Sequence, residues 1–209
     1  MTGAPMIVAA EAELSAREPV LAPLIAVAGP CPLGSGRRHR SHFEALGRSI
    51  VFQQLAGAAA RMIWDRTRAV VGPRFTAPAL LAAGEDRLRS AGLSGAKTRA
   101  LIDLADRVAS GDVRLGTIGR RTDDEIVAEL SRVWGIGRWT AEMFLMFQLG
   151  RLDVWPTGDL GVRAGYGRIF QLPEPPGPAD LELEGDRFRP WRSVVAWYCW
   201  RAMDTVLPA

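Results

Sequence analysis

Residues 133–160 read VWGIGRWTAEMFLMFQLGRLDVWPTGDL: a tight glycine turn, a nearly all-apolar helix and then a carboxylate, Asp159. Gly135 and Gly137 flank one apolar residue, Ile136, so the backbone is free to take positive φ and to approach a ligand closely. Arg138 and Thr140 open the helix behind the turn. The first amides of that helix lack intrahelical partners and point outward, which suits a phosphate. A GxG turn alone is more often ordinary than functional. The helix over residues 138–149 is apolar on most faces (Trp139, Ala141, Met143, Phe144, Leu145, Met146, Phe147), which predicts burial at the centre of a bundle. About twelve helical residues span roughly 18 Å, and the connector over 150–158 brings Asp159 part of the way back. Taken alone, Asp159 reads as the N-cap of the following LGVRAGYGRI helix.

Outward from this stretch the pattern is helix after helix, and the fold class is all-α. Residues 1–14 read as a frayed or extended leader, and 17–28 as a short amphipathic helix. A Gly/Pro/Arg-rich connector covers 29–40. From Ser41, apolar residues recur at helical spacing (Phe43, Leu46, Ile50, Leu55, then Ala59, Met62, Ile63), predicting two helices broken near Ala56 and Gly57. Thr76-Ala77-Pro78 starts another. Ser94 caps a helix that stops at Gly111. Asp123 or Asp124 caps one ending at Arg132. The Pro-rich stretch 173–177 is a surface loop, and a last helix covers roughly 190–205. Neither strand alternation nor a repeat of fixed period is evident.

The 209 residues suffice for one sizeable domain or two small ones sharing a core. With 48% hydrophobic and 23% charged residues, the balance is that of a soluble globular protein. No apolar run reaches the about eighteen residues of a membrane span. The N-terminal MTGAPMIVAAEAEL has no basic region of a signal peptide, so a cytoplasmic location is expected. Cys31 and Cys199 cannot supply a four-cysteine zinc or iron–sulfur site, and a disulfide framework is not expected. A net charge of +3 permits a polyanionic partner without demanding one. Of the 26 basic residues only Lys97 is a lysine, so amine nucleophiles are nearly absent.

The hairpin GIGRWTA, the segment LGRLDVWPTGDLGVR and the earlier IVFQQLAGAAA together resemble the helix–hairpin–helix (HhH-GPD) DNA glycosylases. GLSGAKTRALIDLA and RPWRSVVAWYCWR resemble the 3-methyladenine DNA glycosylase II branch. The blocks run in the family's order over roughly 15–205, which would make 15–209 one glycosylase domain with its hairpin at 133–138. The resemblance implies two packed helical subdomains with the active site in the cleft between them. It implies a monomer that acts on double-stranded damaged DNA, away from membranes, and excises alkylated purines in base excision repair.

On this chain the resemblance makes Asp159 the catalytic carboxylate, set against a positive charge developing on the sugar. A cap role does not conflict with this, because a helix start favours negative charge. Leu55, with Gln53 and Gln54 beside it, falls where an apolar residue fills the stack vacated by the extruded nucleotide. Read without the family, Leu55 is as readily a core residue. Trp139 and Trp200 match base-pocket positions, and Met143 and Phe52 add to that pocket. Better-known members carry an aromatic ring where Met143 stands, which bears on substrate range. Indole faces favour cationic alkylated bases.

Bifunctional members have a Schiff-base lysine where this chain has Trp139, so a monofunctional enzyme is expected. Lys97 reads as a helix-start or phosphate contact. Gly135, Ile136, Gly137, Arg138 and Thr140 are expected to hold a DNA strand without reading sequence. No cofactor is required, although the resemblance suggests a sodium or potassium ion on the carbonyls of Val133 and Ile136. His39 and His42 read as solvated or phosphate-facing. Two other readings use the same residues: a glycosylase for an oxidised, deaminated or mismatched base, and a non-catalytic DNA clamp.

Overall fold

The computed structural model describes residues 4–34, 41–55 and 57–204. Among the described residues there are twelve α-helices and no strand. In chain order they are α1 (Ala4–Arg17), α2 (Ala22–Ala28), α3 (His42–Phe52), α4 (Gly57–Val71), α5 (Ala77–Ala83), α6 (Glu85–Ser90), α7 (Gly95–Ser110), α8 (Asp123–Leu130), α9 (Arg138–Met143), α10 (Leu160–Ile169), α11 (Pro178–Glu184) and α12 (Arg192–Asp204). A π-helical segment, Phe144–Leu149, continues α9. Tight 3-10 turns occupy Pro19–Leu21, Ile118–Arg120 and Gly185–Phe188. The chain divides into two compact units. One comprises Met1–Arg37 and Leu145–Ala209, and the other is Arg38–Phe144.

In the unit built from both ends of the chain, α10 lies against α12. Their approach is so close that a Cβ on Gly165 would overlap the carbonyl of Cys199, so only glycine fits there. Leu14, Leu21, Leu24, Phe188 and Tyr198 are fully buried. The expected extended leader is a helix from Ala4 onward. Its buried Ile7, Ala10 and Leu14 fall at helical spacing among strong helix formers. Its Glu11 accepts the Tyr198 hydroxyl and the Cys31 amide, both at 2.7 Å. The helix expected over 17–28 is broken at Pro19, which lacks the amide that a continuing helix needs.

In the central unit, α7 packs against α5, α3 and α6. Leu46, Ile50, Leu80, Leu101, Leu104 and Ile126 are buried. Phe75 packs on Trp64 and Phe43 with ring centroids 4.9 and 5.7 Å away. Ser41, Thr76 and Ser94 each accept a first-turn amide, and Gly111 ends α7 in the left-handed region at φ +85. The cap of α8 is Thr122 rather than Asp123 or Asp124. Glu125, three residues on, accepts a hydrogen bond from the Thr122 amide at 2.8 Å, closing a capping box that neither aspartate forms. This helix also stops at Leu130, before Arg132, where the Val133 amide turns back to the Leu130 carbonyl. Leader residues 1–3, His39, Ala56 at the break after α3, and Thr205 lie outside the described residues.

Candidate active site

Asp159 is the N-cap of α10 and is 9% exposed. Its Oδ1 accepts two hydrogen bonds, from the Val162 amide at 2.8 Å and from the Trp200 indole at 2.9 Å. The first fixes the carboxylate to its helix, and the second ties it to α12. Trp200 stacks on Phe147, with centroids 5.8 Å apart and planes inclined by 25°. Gly161 makes this possible: a Cβ there would lie 2.8 Å from Trp200 Cδ1 and 3.1 Å from Asp159 Oδ1. The unit thus presents a buried, doubly oriented carboxylate beside two stacked rings, with Leu160 exposed next to it.

The helix expected at the centre of a bundle is buried along most of its length, with Trp139 and Phe147 as apolar exceptions. Trp139 is 45% exposed and Phe147 is 55% exposed, while Ala141, Phe144, Leu145 and Met146 are buried. The change from α to π winding after Met143 alters which positions share a face, so α-helical spacing misplaces Phe147.

The hairpin lies in the central unit. The Ile136 amide closes it onto the Val133 carbonyl at 3.0 Å. Gly135 takes φ +83, and a Cβ there would come within 2.9 Å of Ala100. Gly137 is extended, so only the first glycine uses the left-handed region. Ile136 and Thr140 are buried. Gln53 reaches across from α3 and donates to the Gly135 carbonyl at 3.0 Å and to the Thr140 hydroxyl at 3.2 Å. Thr140 therefore braces the hairpin from inside. Arg138 is exposed and paired with the buried Glu142 at 2.8 Å.

Leu55 is 38% exposed. Gln54 before it is exposed and holds φ +53. Phe52 and Met143 are half-buried, and the Arg48 guanidinium sits 3.8 Å over the Phe52 ring. His42 packs edge-on against Phe144 with centroids 5.6 Å apart, so it is not simply solvated.

Residues flanking the hairpin escaped sequence reasoning. Trp134 is exposed with the Arg99 guanidinium 4.4 Å over its ring. Its amide donates to Asp103 of α7 at 2.7 Å, and Arg107 donates to the same carboxylate oxygen at 2.8 Å. Burial pushes the Asp103 carboxyl up, but these two hydrogen bonds and the charges of Arg107 and Arg99 outweigh it and hold it below its ordinary value. Arg99, Arg107, Arg132 and Trp134 line a groove of about 630 Å³ along the hairpin. A basic groove rimmed by glycine backbone suits a polyanion.

The HhH-GPD superfamily of base excision DNA repair proteins matches residues 48–190, well over half the chain. The chain belongs to this superfamily. Its sequence is 32% identical over 162 residues to DNA-3-methyladenine glycosylase 1 of Schizosaccharomyces pombe, covering 76% of this chain and 71% of that protein. A solved structure of the Schizosaccharomyces pombe 3-methyladenine DNA glycosylase in complex with abasic DNA matches with a TM-score of 0.83 at 29% identity, over 94% of this chain and 97% of the other. A DNA-3-methyladenine glycosidase structure from Bacillus halodurans matches with a TM-score of 0.81 at 32% identity, over 92% and 88%. The all-helical architecture is therefore the HhH-GPD fold.

Within this HhH-GPD chain, the sequence places Asp159 at a helix start and the glycines in a hairpin, but it reads Leu55 as helical, whereas α3 ends at Phe52 and Leu55 lies beyond it. It missed Phe147, Gly161 and Asp103. Spacing carries a signal for Gly161 alone, as a small residue two positions after the carboxylate. Among the described residues no group of three or more His, Cys, Asp or Glu is arranged to hold a metal, and no helix is long and apolar enough to cross a membrane.

Proposed function

We propose that this HhH-GPD protein is a monofunctional DNA glycosylase that hydrolyses the N-glycosidic bond of alkylated purines, the class of 3-methyladenine and 7-methylguanine, after extruding the nucleotide from duplex DNA. The observation that carries the reading is Asp159: buried, oriented at one oxygen by two donors, and set beside Trp200 and Phe147. The bond between the base nitrogen and the sugar C1′ breaks and its electrons leave with the base. Positive charge then develops on the sugar, where a fixed carboxylate in a poorly solvated site stabilises it. Water adds its oxygen to C1′ and releases a proton. An alkylated purine is already cationic, so it leaves without a strong general acid and is attracted to indole faces. The names of the relatives support this substrate class over the others.

Two observations support hydrolysis without strand cleavage. Trp139 stands where bifunctional members have a lysine, and the chain's one lysine, Lys97, is engaged with the backbone carbonyls of Val51 and Gln53. The exposed Leu55 fits a residue that enters the vacated stack. The hairpin, with its groove of arginines, would hold the phosphates. A monovalent cation on Val133 and Ile136 carbonyls would add positive charge there.

Purified protein incubated with methylated DNA should release free 3-methyladenine and 7-methylguanine, and borohydride should trap no covalent adduct. Release of only oxidised or deaminated bases from matched substrates would replace the substrate class. Binding with no release from any lesion would leave a DNA clamp, and a trapped adduct would contradict the monofunctional assignment.

A further inference from the structure

Lys97 takes no part in the chemistry proposed above. It stands in the first turn of α7, after the cap Ser94, and its side chain reaches to the end of α3. Its Nζ donates to the carbonyls of Val51 at 2.7 Å and Gln53 at 2.8 Å. These lie at a helix C-terminus, where carbonyls lose their intrahelical partners and a cation meets the negative end of the dipole. Next in the chain, Gln54 holds φ +53, a conformation that a non-glycine residue keeps only where its surroundings impose it. Leu55 follows, exposed. The Gln53 side chain leaves the same turn in another direction, to Gly135 and Thr140. Gln53 is therefore pinned twice, its backbone by Lys97 and its side chain against the hairpin. A compact ammonium can serve two converging carbonyls, whereas a planar guanidinium presents its donors in a fixed fork. That distinction gives the single lysine in an arginine-rich chain a reason.

We propose that Lys97 is a positioning residue for base extrusion, fixing the turn that carries Leu55 and, through Gln53, setting that turn against the hairpin. The inference rests on the reading of Leu55 as the residue that fills the vacated stack. Lys97 acts through the turn and touches neither the base nor the sugar.

The test compares single-turnover excision of 7-methylguanine from two duplexes, with the lesion paired to cytosine or set opposite an abasic site. Opposite an abasic site no partner base holds the lesion, so extrusion is easier. Lys97→Met, which keeps the stem and removes the donors, should slow the paired duplex about tenfold and leave the other within about twofold. Leu55→Ala should show the same preference, and the double variant should be no slower than the slower single variant, since both act on one step. Lys97→Gln keeps an amide donor and should fall between wild type and Lys97→Met, so the ratio can be read even where methionine prevents folding. Equal slowing of both duplexes by the Lys97 variants, with Leu55→Ala selective, would make Lys97 a general brace and overturn the proposal alone. An unchanged paired rate would overturn it too. Loss of selectivity in Leu55→Ala would instead overturn the reading of Leu55, and the proposal with it.

Discussion

Asp159 holds its orientation through one oxygen shared by the Val162 amide and the Trp200 indole. Each donor comes from a different helix, so the carboxylate cannot rotate without losing one of them. Gly161 allows the indole to come this close, because an added methyl group would sit 2.8 Å from Trp200 Cδ1. Gly161→Ala should displace the indole, break its bond to Asp159 and lower kcat/KM for 7-methylguanine release by about tenfold, the worth of one hydrogen bond to a charged group. Trp200→Phe, which keeps a ring but removes the donor, should fall in the same range. Wild-type kinetics in both would mean that the indole does not orient the carboxylate. The cap role of Asp159 was legible because a short acceptor before an apolar helix is a local pattern. Its bond to Trp200 was not legible, since it joins α10 to α12 across 41 residues of chain.

Helix ends were read well where one side chain decides them, as at Ser94 and Gly111, and poorly where two act together. Thr122 took the cap from its aspartate neighbours through Glu125, and the π segment moved Phe147 out of the expected core. The hairpin shows the same division. Its glycines were legible, whereas its anchor on α7 was not. Asp103 ties the Trp134 amide to Arg107 at 2.7 and 2.8 Å. Its carboxyl lies below the ordinary value of 3.8 in the folded protein. A carboxyl lowered by folding adds stability above its unfolded pKa and loses it as pH falls through the folded one. The difference in Tm between wild type and Asp103→Asn should therefore be greatest near neutrality and shrink below the ordinary aspartate value of 3.8. A pH-independent difference would show that the carboxylate charge does not anchor the hairpin.

At the scale of the molecule, the chain builds one unit from its two ends and inserts the other, Arg38–Phe144, between them. Asp159, Phe147 and Trp200 belong to the first. The hairpin, Gln53, Leu55 and Trp139 belong to the second. The all-α class was legible from periodicity and caps, and the resemblance implied two subdomains, but which helices make up each was not legible, because nothing local marks the pairing of α1 and α2 with α12. In the proposed function the second set would hold and open DNA and the first would act on the sugar. The most direct test is single-turnover release of 3-methyladenine by wild type and Asp159→Asn, with affinity for the same DNA measured in parallel. Loss of about a hundredfold or more in rate with DNA affinity retained is expected, and release by Asp159→Asn at the wild-type rate would contradict Asp159 as the catalytic carboxylate.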